Sequence, residues 1–389
     1  MFDPAERKTA RFAALPDYER LALLNRQLAY AAAHSPYYAE ALRGVGALSS
    51  LSEIARLPFL TPETLAAQGR RLVCVPGSEV ARIVSLRTSG TTGPVKRLYF
   101  TRGDLERTVE FFAEGMGWMT APGDRVAVLM PCGVPDGVGE LLCRGLERLG
   151  ARPLPLGARA DMAAVGRALA DAPPQVLVGF PWQLRLLALL CPQLRPRAAL
   201  LSADYVPETL PALLREKWGC AATRHFGMTE TGYGCAVEHP CLPGMVLRAD
   251  ELLAEIVEPE SGAPLPPGEP GELVLTTLRR EATPLIRFRT GDLAVMDAEG
   301  RLARVCGRLG VSRDFYALQD RLCALDWLYD FEPGAGQLTA LVAVDAPPDC
   351  ADRLSEAAGG LPVEALRVPA ESAALLHPGK RLLLPPEKK

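Results

Sequence analysis

A chain of 389 residues is long enough for one large and one small domain. Its 48% hydrophobic content and mixed charge, with a formal net charge of −3, exclude a disordered chain and leave no global basic field to attract nucleic acid. The ten cysteines form no Cys-x-x-Cys and sit mostly in apolar contexts such as Leu142-Cys143 and Leu190-Cys191, the pattern of reduced core thiols in a cytoplasmic protein. The stretch Met1-Phe-Asp-Pro-Ala-Glu-Arg-Lys has no apolar h-region, so no secretory signal is expected. No window reaches the roughly 18 apolar residues of a membrane span.

The spacing of Leu21, Leu24, Leu28 and Ala31 predicts helix over 16–43, interrupted at Ser35-Pro36. A turn at Leu57-Pro-Phe-Leu-Thr-Pro leads to a short helix over 63–68. A β-favouring run, Ala81 to Leu86, then enters a hydroxyl- and glycine-rich turn, Thr88, Ser89, Gly90, Thr91, Thr92 and Gly93, followed by Lys96 and a second run, Leu98 to Phe100. Such a turn can aim N–H groups and hydroxyls at an anion, with Lys96 adding a mobile cation; it also serves as a plain polar hairpin. The spacing is not that of a P-loop NTPase. After a helix over 104–116 the chain alternates. Strands at Arg125 to Met130, Gln175 to Phe180 and Ala198 to Ser202 are interleaved with helices over 139–149, 162–170, 182–190 and 208–218, and 151–156 is a short extended run. That alternation predicts a parallel sheet with helices on both faces and ligands beyond the carboxyl ends of its strands.

Beyond Leu252 the texture changes to strands separated by Pro/Gly turns, which predicts a mostly antiparallel β unit. The fold class is therefore α/β. A large N-terminal domain, 1–306, combines parallel sheets flanked by helices with an antiparallel β unit. A small, shortened α+β C-terminal domain, 307–389, follows a junction within 302–310.

Three further segments carry chemistry. His225-Phe-Gly-Met-Thr-Glu230 follows a strand end; Thr229 offers a hydroxyl suited to phosphate and Glu230 a hard carboxylate suited to Mg²⁺, though the pair would equally start and cap a helix. Arg287-Phe-Arg-Thr-Gly-Asp292 closes a strand, and its Asp can accept two hydrogen bonds from a vicinal diol or simply sit in a Gly-Asp turn. Pro378-Gly-Lys-Arg381 offers Lys380 as a catalytic cation or a surface lysine.

In this order the phrases Thr88-Ser-Gly-Thr-Thr-Gly-x-x-Lys96, Phe226-Gly-Met-Thr-Glu230, Gly271-Glu-Leu-Val-Leu-Thr-Thr277 and Pro284-Leu-Ile-Arg-Phe-Arg-Thr-Gly-Asp292 resemble the adenylate-forming superfamily of acyl-CoA synthetases, and within it the phenylacetate–CoA ligase-like branch. Ser35-Pro-Tyr-Tyr38 and Gly179-Phe-Pro-Trp182 resemble that branch too.

The resemblance implies an AMP-forming carboxylate–CoA ligase that uses ATP, Mg²⁺ and CoA, acts on an aryl or arylacetic acid and is a homodimer, with no nucleic acid or membrane partner. Transfer to a carrier protein or an amine, or a catalytically weak ligand-sensing relative, are the alternatives. Thr88 to Gly93 and Lys96 would embrace the β,γ-phosphates and Thr229 the α-phosphate, while Glu230 would hold Mg²⁺. Ala203, Asp204 and Tyr205, with Phe226, Gly227 and Arg308, would lie along the nucleotide, Asp292 would bind the ribose, and Lys380 would bridge carboxylate and α-phosphate. Pro135, Gly137, Phe180, Trp182 and Phe226 would shape the acyl pocket; no Arg in these segments is an evident partner for a second substrate carboxylate, which leaves Arg185 and Arg224 as open alternatives. Gly307-Arg308 matches the pair that precedes the family's hinge.

Three departures stand out. Val95 replaces a usual Pro before Lys96. The acid after Arg308 comes late, at Asp314. Cys306-Gly307-Arg308 could instead match a cysteine-bearing turn found just before the hinge. Separately, Cys235, His239 and Cys241 are close enough in sequence to be three ligands of a structural Zn²⁺, with Glu238 or His225 as a fourth, or three unrelated loop side chains.

Overall fold

The computed structural model describes residues 15–87, 95–334, 336–377 and 381. The phosphate-turn residues Thr88 to Gly93 and the catalytic expectation Lys380 lie outside the described residues. The described chain packs as two units, one of 15–118 with 226–309 and the other of 119–225 with 310–381. This is not the expected division at 306/307: the C-terminal region shares a unit with the middle of the chain.

Helix α1 (Asp17–His34) carries Asp17 and Glu19 in its first turn and His34 in its last, charges that complement the helix dipole. Ser35 ends it in extended backbone and caps α2 (Pro36–Ala41) by accepting from the Tyr38 N–H, so the interruption at Ser35-Pro36 is a cap between two helices. Tyr38 is buried, donates its hydroxyl to the Pro284 carbonyl at 2.9 Å and accepts from the Ile286 N–H at 3.2 Å. Two phrases that carried the resemblance therefore hold each other. Thr61 caps α3 (Pro62–Gln68). Strands β1 (Arg82–Arg87) and β2 (Val95–Phe100) form an antiparallel hairpin, from Arg82 paired with Phe100 to Arg87 paired with Val95. Thr101 and Asp104 make a reciprocal capping box at the start of α4 (Arg102–Met116).

Next come β3 (Arg125–Val128), α5 (Val138–Arg148), β4 (Arg152–Pro155), α6 (Met162–Asp171), β5 (Val176–Gly179), α7 (Pro181–Leu190), β6 (Ala198–Leu201), α8 (Leu210–Trp218) and β7 (Ala221–Phe226). The strands run parallel in the order β4-β3-β5-β6-β7. β5 and β6 are buried at every residue, as their unbroken apolar runs require of a sheet covered on both faces.

The chain continues through β8 (Ala236–Glu238), β9 (Met245–Leu247), β10 (Leu252–Val257), β11 (Pro270–Thr277), β12 (Phe288–Met296) and β13 (Leu302–Arg308). These form an antiparallel sheet in the order β10-β11-β12-β13-β9-β8 around a core of Leu252, Ile256, Leu273, Leu275 and Leu302. Arg287 has φ of 48° and only 2% exposure. It is held there by both Glu255 oxygens, the carbonyls of Ala55 and Leu57, and the face of Phe59 at 3.9 Å. Its place in the resemblance phrase is a packing role.

The C-terminal region is α9 (Arg313–Cys323), β14 (Leu328–Pro333), β15 (Leu338–Ala343), α10 (Cys350–Ala357) and β16 (Val363–Val368). β14 pairs antiparallel and β16 parallel with β15, an α+β layout. Its core is continuous with that of the parallel sheet: Leu322, Phe331, Leu338 and Leu354 join Leu184, Leu187, Leu210 and Trp218 in one buried cluster. Among the described residues, no helix is long and apolar enough to cross a membrane.

Candidate functional site

In the first unit, β2 carries Lys96 out of the hairpin, and a short turn at Thr229–Thr231 carries Glu230. Their side chains meet: Lys96 Nζ donates to Glu230 Oε1 at 2.6 Å, with side-chain exposures of 13% and 8%. Thr229 precedes Glu230 and is half-buried. Asp292 sits on β12 with 7% exposure, donates its own N–H to the Thr290 hydroxyl oxygen at 3.0 Å and lies 3.5 Å from Arg308 Nε. Arg308 also donates to the Thr290 carbonyl at 2.9 Å. Burial pushes the Cys235 thiol up to about 12, and both Asp292 and Glu230 add to the rise. Phe226 packs on the antiparallel core.

Gly307 has φ of 126° and Gly310 of 78°, both in the region that favours glycine. The chain passes from the first unit to the second between Leu309 and Gly310, directly after Arg308. The late acid, Asp314, is in the first turn of α9, whose cap is Ser312.

In the second unit, Pro135, Gly137, Phe180, Ala203, Asp204 and Tyr205 all follow the carboxyl ends of the adjacent strands β3, β5 and β6, where such sheets bind ligands. Pro135 is exposed and Gly137 buried, closing its turn on the Val134 carbonyl at 2.9 Å. Phe180 is 7% exposed at the start of α7. Ala203 has φ of 71°. The Tyr205 hydroxyl donates to Asp320 at 3.0 Å, and Asp204 Oδ1 accepts from the Tyr205 N–H at 2.9 Å. Asp204 Oδ2 accepts from the Arg381 N–H at 2.7 Å.

The packing bears on three readings of the sequence. Trp182 is not a pocket wall. It is 3% exposed, packs edge-on to Phe331 at 5.0 Å and gives its Nε1–H to Gln319 at 3.2 Å. Arg185 is not a partner for a substrate carboxylate either: fully buried, it donates to the carbonyls of Cys323, Leu325 and Leu328 at 2.5–2.9 Å. Arg224 pairs with Glu208 at 3.0 Å. The third is zinc. Cys235 is wholly buried against the Thr231 hydroxyl, whereas Cys241 is exposed and His239 packs edge-on to Trp118 at 4.7 Å. Among the described residues, no three His, Cys, Asp or Glu side chains gather to hold a metal.

The sequence reading passed over a buried cation. Arg381 is 7% exposed, pairs with Asp330, donates to the Phe331 carbonyl at 2.5 Å and lies over the rings of Trp182 and Phe331 at 4.3 and 4.4 Å. Burial lowers its pKa to about 9 against the pull of Asp204. It was visible as the neighbour of Lys380, but no periodicity pointed to Asp330.

Residues 73–277 match the family model for AMP-binding enzymes. The chain belongs to that family. Its relatives place it in the phenylacetate–CoA ligase-like branch. It is 30% identical over 306 residues to a phenylacetate–coenzyme A ligase of Thermus thermophilus, covering 74% of this chain and 66% of the relative. Against the Escherichia coli and Pseudomonas putida ligases of the same name, identity is 29% and 28%, covering 71% and 79% of this chain and 63% and 72% of theirs. The chain thus spans about two thirds of the length of these relatives. The family's fold is equally plain: a 2-hydroxyisobutyryl-CoA ligase in its postadenylation state superposes with a TM-score of 0.75 at 20% identity, over 96% of this chain and 91% of that one. An anthranilate CoA ligase superposes with a TM-score of 0.51 at 18% identity, over 75% and 65%.

Proposed function

We propose that this chain is an ATP-dependent, AMP-forming carboxylate–CoA ligase that acts through an acyl-adenylate on an aryl or arylacetic acid. The observation that carries the reading is the Lys96–Glu230 pair: a cation and a hard carboxylate, brought together from distant segments and largely withdrawn from water. In the first half-reaction a substrate carboxylate oxygen bonds to the α-phosphorus of ATP and pyrophosphate leaves. In the second, a CoA thiol bonds to the acyl carbon, AMP leaves, and the thiol proton passes to solvent. Neither half needs an enzyme nucleophile, so the chain's work is positioning and charge stabilisation.

Lys96 exchanges Glu230 for the β,γ-phosphate oxygens when nucleotide arrives, aided by Thr88 to Gly93. This frees the Glu230 carboxylate for Mg²⁺. One protein carboxylate completed by substrate phosphates and water is a usual Mg²⁺ arrangement, and the donor set fits it. The ion would neutralise phosphate charge. Thr229 offers its hydroxyl to the α-phosphate and Lys380 its ammonium to the developing charge there. Asp292, steadied by Arg308, accepts from the ribose diol. Ala203, Asp204, Tyr205 and Gly227 take the base, while Pro135, Gly137, Phe180 and Phe226 take the acyl group. A hinge at Gly307-Arg308 would exchange the half-reactions, and the positive φ of Gly307 supports a pivot there. The thiols, all free of disulfides, support the cytoplasmic location and dimerisation is tested by sedimentation.

The test is ATP–pyrophosphate exchange against a panel of aryl and short aliphatic acids, followed by thioester formation with CoA. Exchange with an aryl acid and thioester only with CoA supports the reading. Exchange without thioester moves the acceptor to a carrier protein or an amine. Binding of ATP with no exchange contradicts it.

A further inference from the structure

Cys132 and Cys143 are half-buried, unlike most of the chain's thiols. Cys132 lies in the turn that also carries Pro135 and Gly137, and Cys143 lies on α5 one helical turn beyond Gly139. A Cβ on Gly139 would stand 2.6 Å from Cys132 Sγ, so the sulfur rests on bare backbone that only glycine leaves open. Helical side chains lean towards the N-terminus of their helix, so Cys143 reaches back over the same spot. The two thiols are therefore neighbours across Gly139. The Cys132 S–H also reaches the Met130 carbonyl at 3.0 Å.

We propose that Cys132 and Cys143 form a redox modification site, closing to a disulfide under a small peroxide and so stapling the turn over 131–139 to α5. The contact divides the labour. The Cys143 thiol, acting as hydrogen-bond donor, holds Cys132 down to about 7, and Cys143 itself is pushed up. Cys132 is therefore the readier of the two to give up its proton, and with it the bond to the Met130 carbonyl, and become thiolate, the reactive form, while Cys143 keeps its own. The Cys132 thiolate attacks one peroxide oxygen, giving sulfenic acid and hydroxide. The Cys143 sulfur then attacks the sulfenic sulfur; the disulfide bond forms, the S–O bond breaks, and the thiol proton leaves with the oxygen as water. The two thiols lose two electrons in all, and the peroxide gains them.

The turn is already tied to α5 without a cross-link. Asp136, at φ of 53°, donates its N–H to Glu140 at 2.8 Å and its carboxylate meets Arg144 at 3.3 Å. A disulfide adds a covalent tie to a segment the proposed function assigns to the acyl group. Its effect on turnover rests on that function; the formation of the bond does not.

The test treats the reduced full chain with stoichiometric hydrogen peroxide at pH 7, blocks free thiols, and maps the unreduced digest by mass spectrometry. The expected result is a joined peptide pair linking Cys132 to Cys143, two hydrogens lighter than the separate peptides. It should form before Cys241, the exposed thiol, is modified, vanish on reduction, and be absent from Cys132→Ser and Cys143→Ser. Cys132 lost to sulfinic acid while Cys143 remains free to alkylate would overturn the proposal. So would oxidation of Cys241 ahead of an untouched pair. Pyrophosphate exchange measured on the same samples should fall and recover with reductant in the parent chain only. Inactivity of the reduced chain would count against the ligase function and leave the peptide result to decide the site.

Discussion

Lys96 Nζ and Glu230 Oε1 are 2.6 Å apart although 134 residues separate them in sequence. A pair held in that state neutralises two charges that a nucleotide and its metal would later claim separately. Lys96→Met would leave a largely buried carboxylate without its cation. We expect it to cost about 1–3 kcal/mol of stability, less than the roughly 3–5 kcal/mol of a fully buried pair because both side chains keep some exposure. Glu230→Gln should fold with little loss but gain no thermal stabilisation from Mg²⁺ and ATP. The parent chain should gain about 2.7 kcal/mol at a ligand concentration of 100 Kd. Melting curves with and without Mg²⁺ and ATP check both; equal stabilisation of Glu230→Gln and parent would remove Glu230 from the metal site.

Asp292 is 7% exposed and braced by Arg308 at 3.5 Å. Asp292→Ala should weaken ATP binding by about 10- to 100-fold, the size of one or two hydrogen bonds to a charged acceptor, without unfolding the chain. Calorimetric titration with ATP measures it, and unchanged affinity would take Asp292 out of the ribose site.

Arg381 and Lys380 are neighbours in sequence with different expected roles. Arg381→Met strands the fully buried Asp330 without its cation, and we expect a loss of about 3–5 kcal/mol, read by urea unfolding. Lys380→Ala should leave stability alone and abolish adenylation far more than thioester formation from a supplied acyl-adenylate. Equal loss in the two assays would break the role given to Lys380.

His225 keeps its Nε2 out of solvent and shares a hydrogen bond between its Nδ1 and the Ser202 hydroxyl at 2.7 Å. Burial lowers its pKa from 6.5 to about 4. The unfolded chain therefore binds the proton more readily. The stability that the neutral ring contributes is fully present above pH ~6.5 and is lost as pH falls towards the folded value of about 4, at about 1.4 kcal/mol per pH unit within that window. Unfolding free energies from pH 4 to 7 should show that slope in the parent chain and a shallower one in His225→Gln.

The sequence made the strand–helix alternation of 125–226 readable because unbroken apolar runs such as Val176–Gly179 admit little else when helical periods flank them. It also marked Lys96, Glu230 and Asp292 by residue type at strand ends and turns. What it hid depended on long-range partners. Trp182 and Arg185 looked like pocket residues because aromatic and cationic side chains follow a strand end there. Their partners, Gln319, Phe331 and the carbonyls of α9 and β14, are over a hundred residues away and leave no local mark. Separation in sequence also concealed Asp330, 51 residues before Arg381, and the sharing of one core by the middle and the C-terminal region. Cys235, His239 and Cys241 were close in sequence, but burial sent one sulfur inward and left the other outside.

The most direct test of the acyl-adenylate is the fate of a carboxylate oxygen. The acid is supplied with both oxygens isotopically heavy, together with ATP and CoA, and the products are weighed by mass spectrometry. The expected result is AMP carrying one heavy oxygen and pyrophosphate carrying none, since the carboxylate oxygen that attacked the α-phosphorus stays with AMP when the thiol takes the acyl group. Heavy oxygen in inorganic phosphate, with ADP as the nucleotide product, would mean attack at the γ-phosphorus and would contradict the assignment of Lys96, Thr229 and Glu230 to an adenylating site.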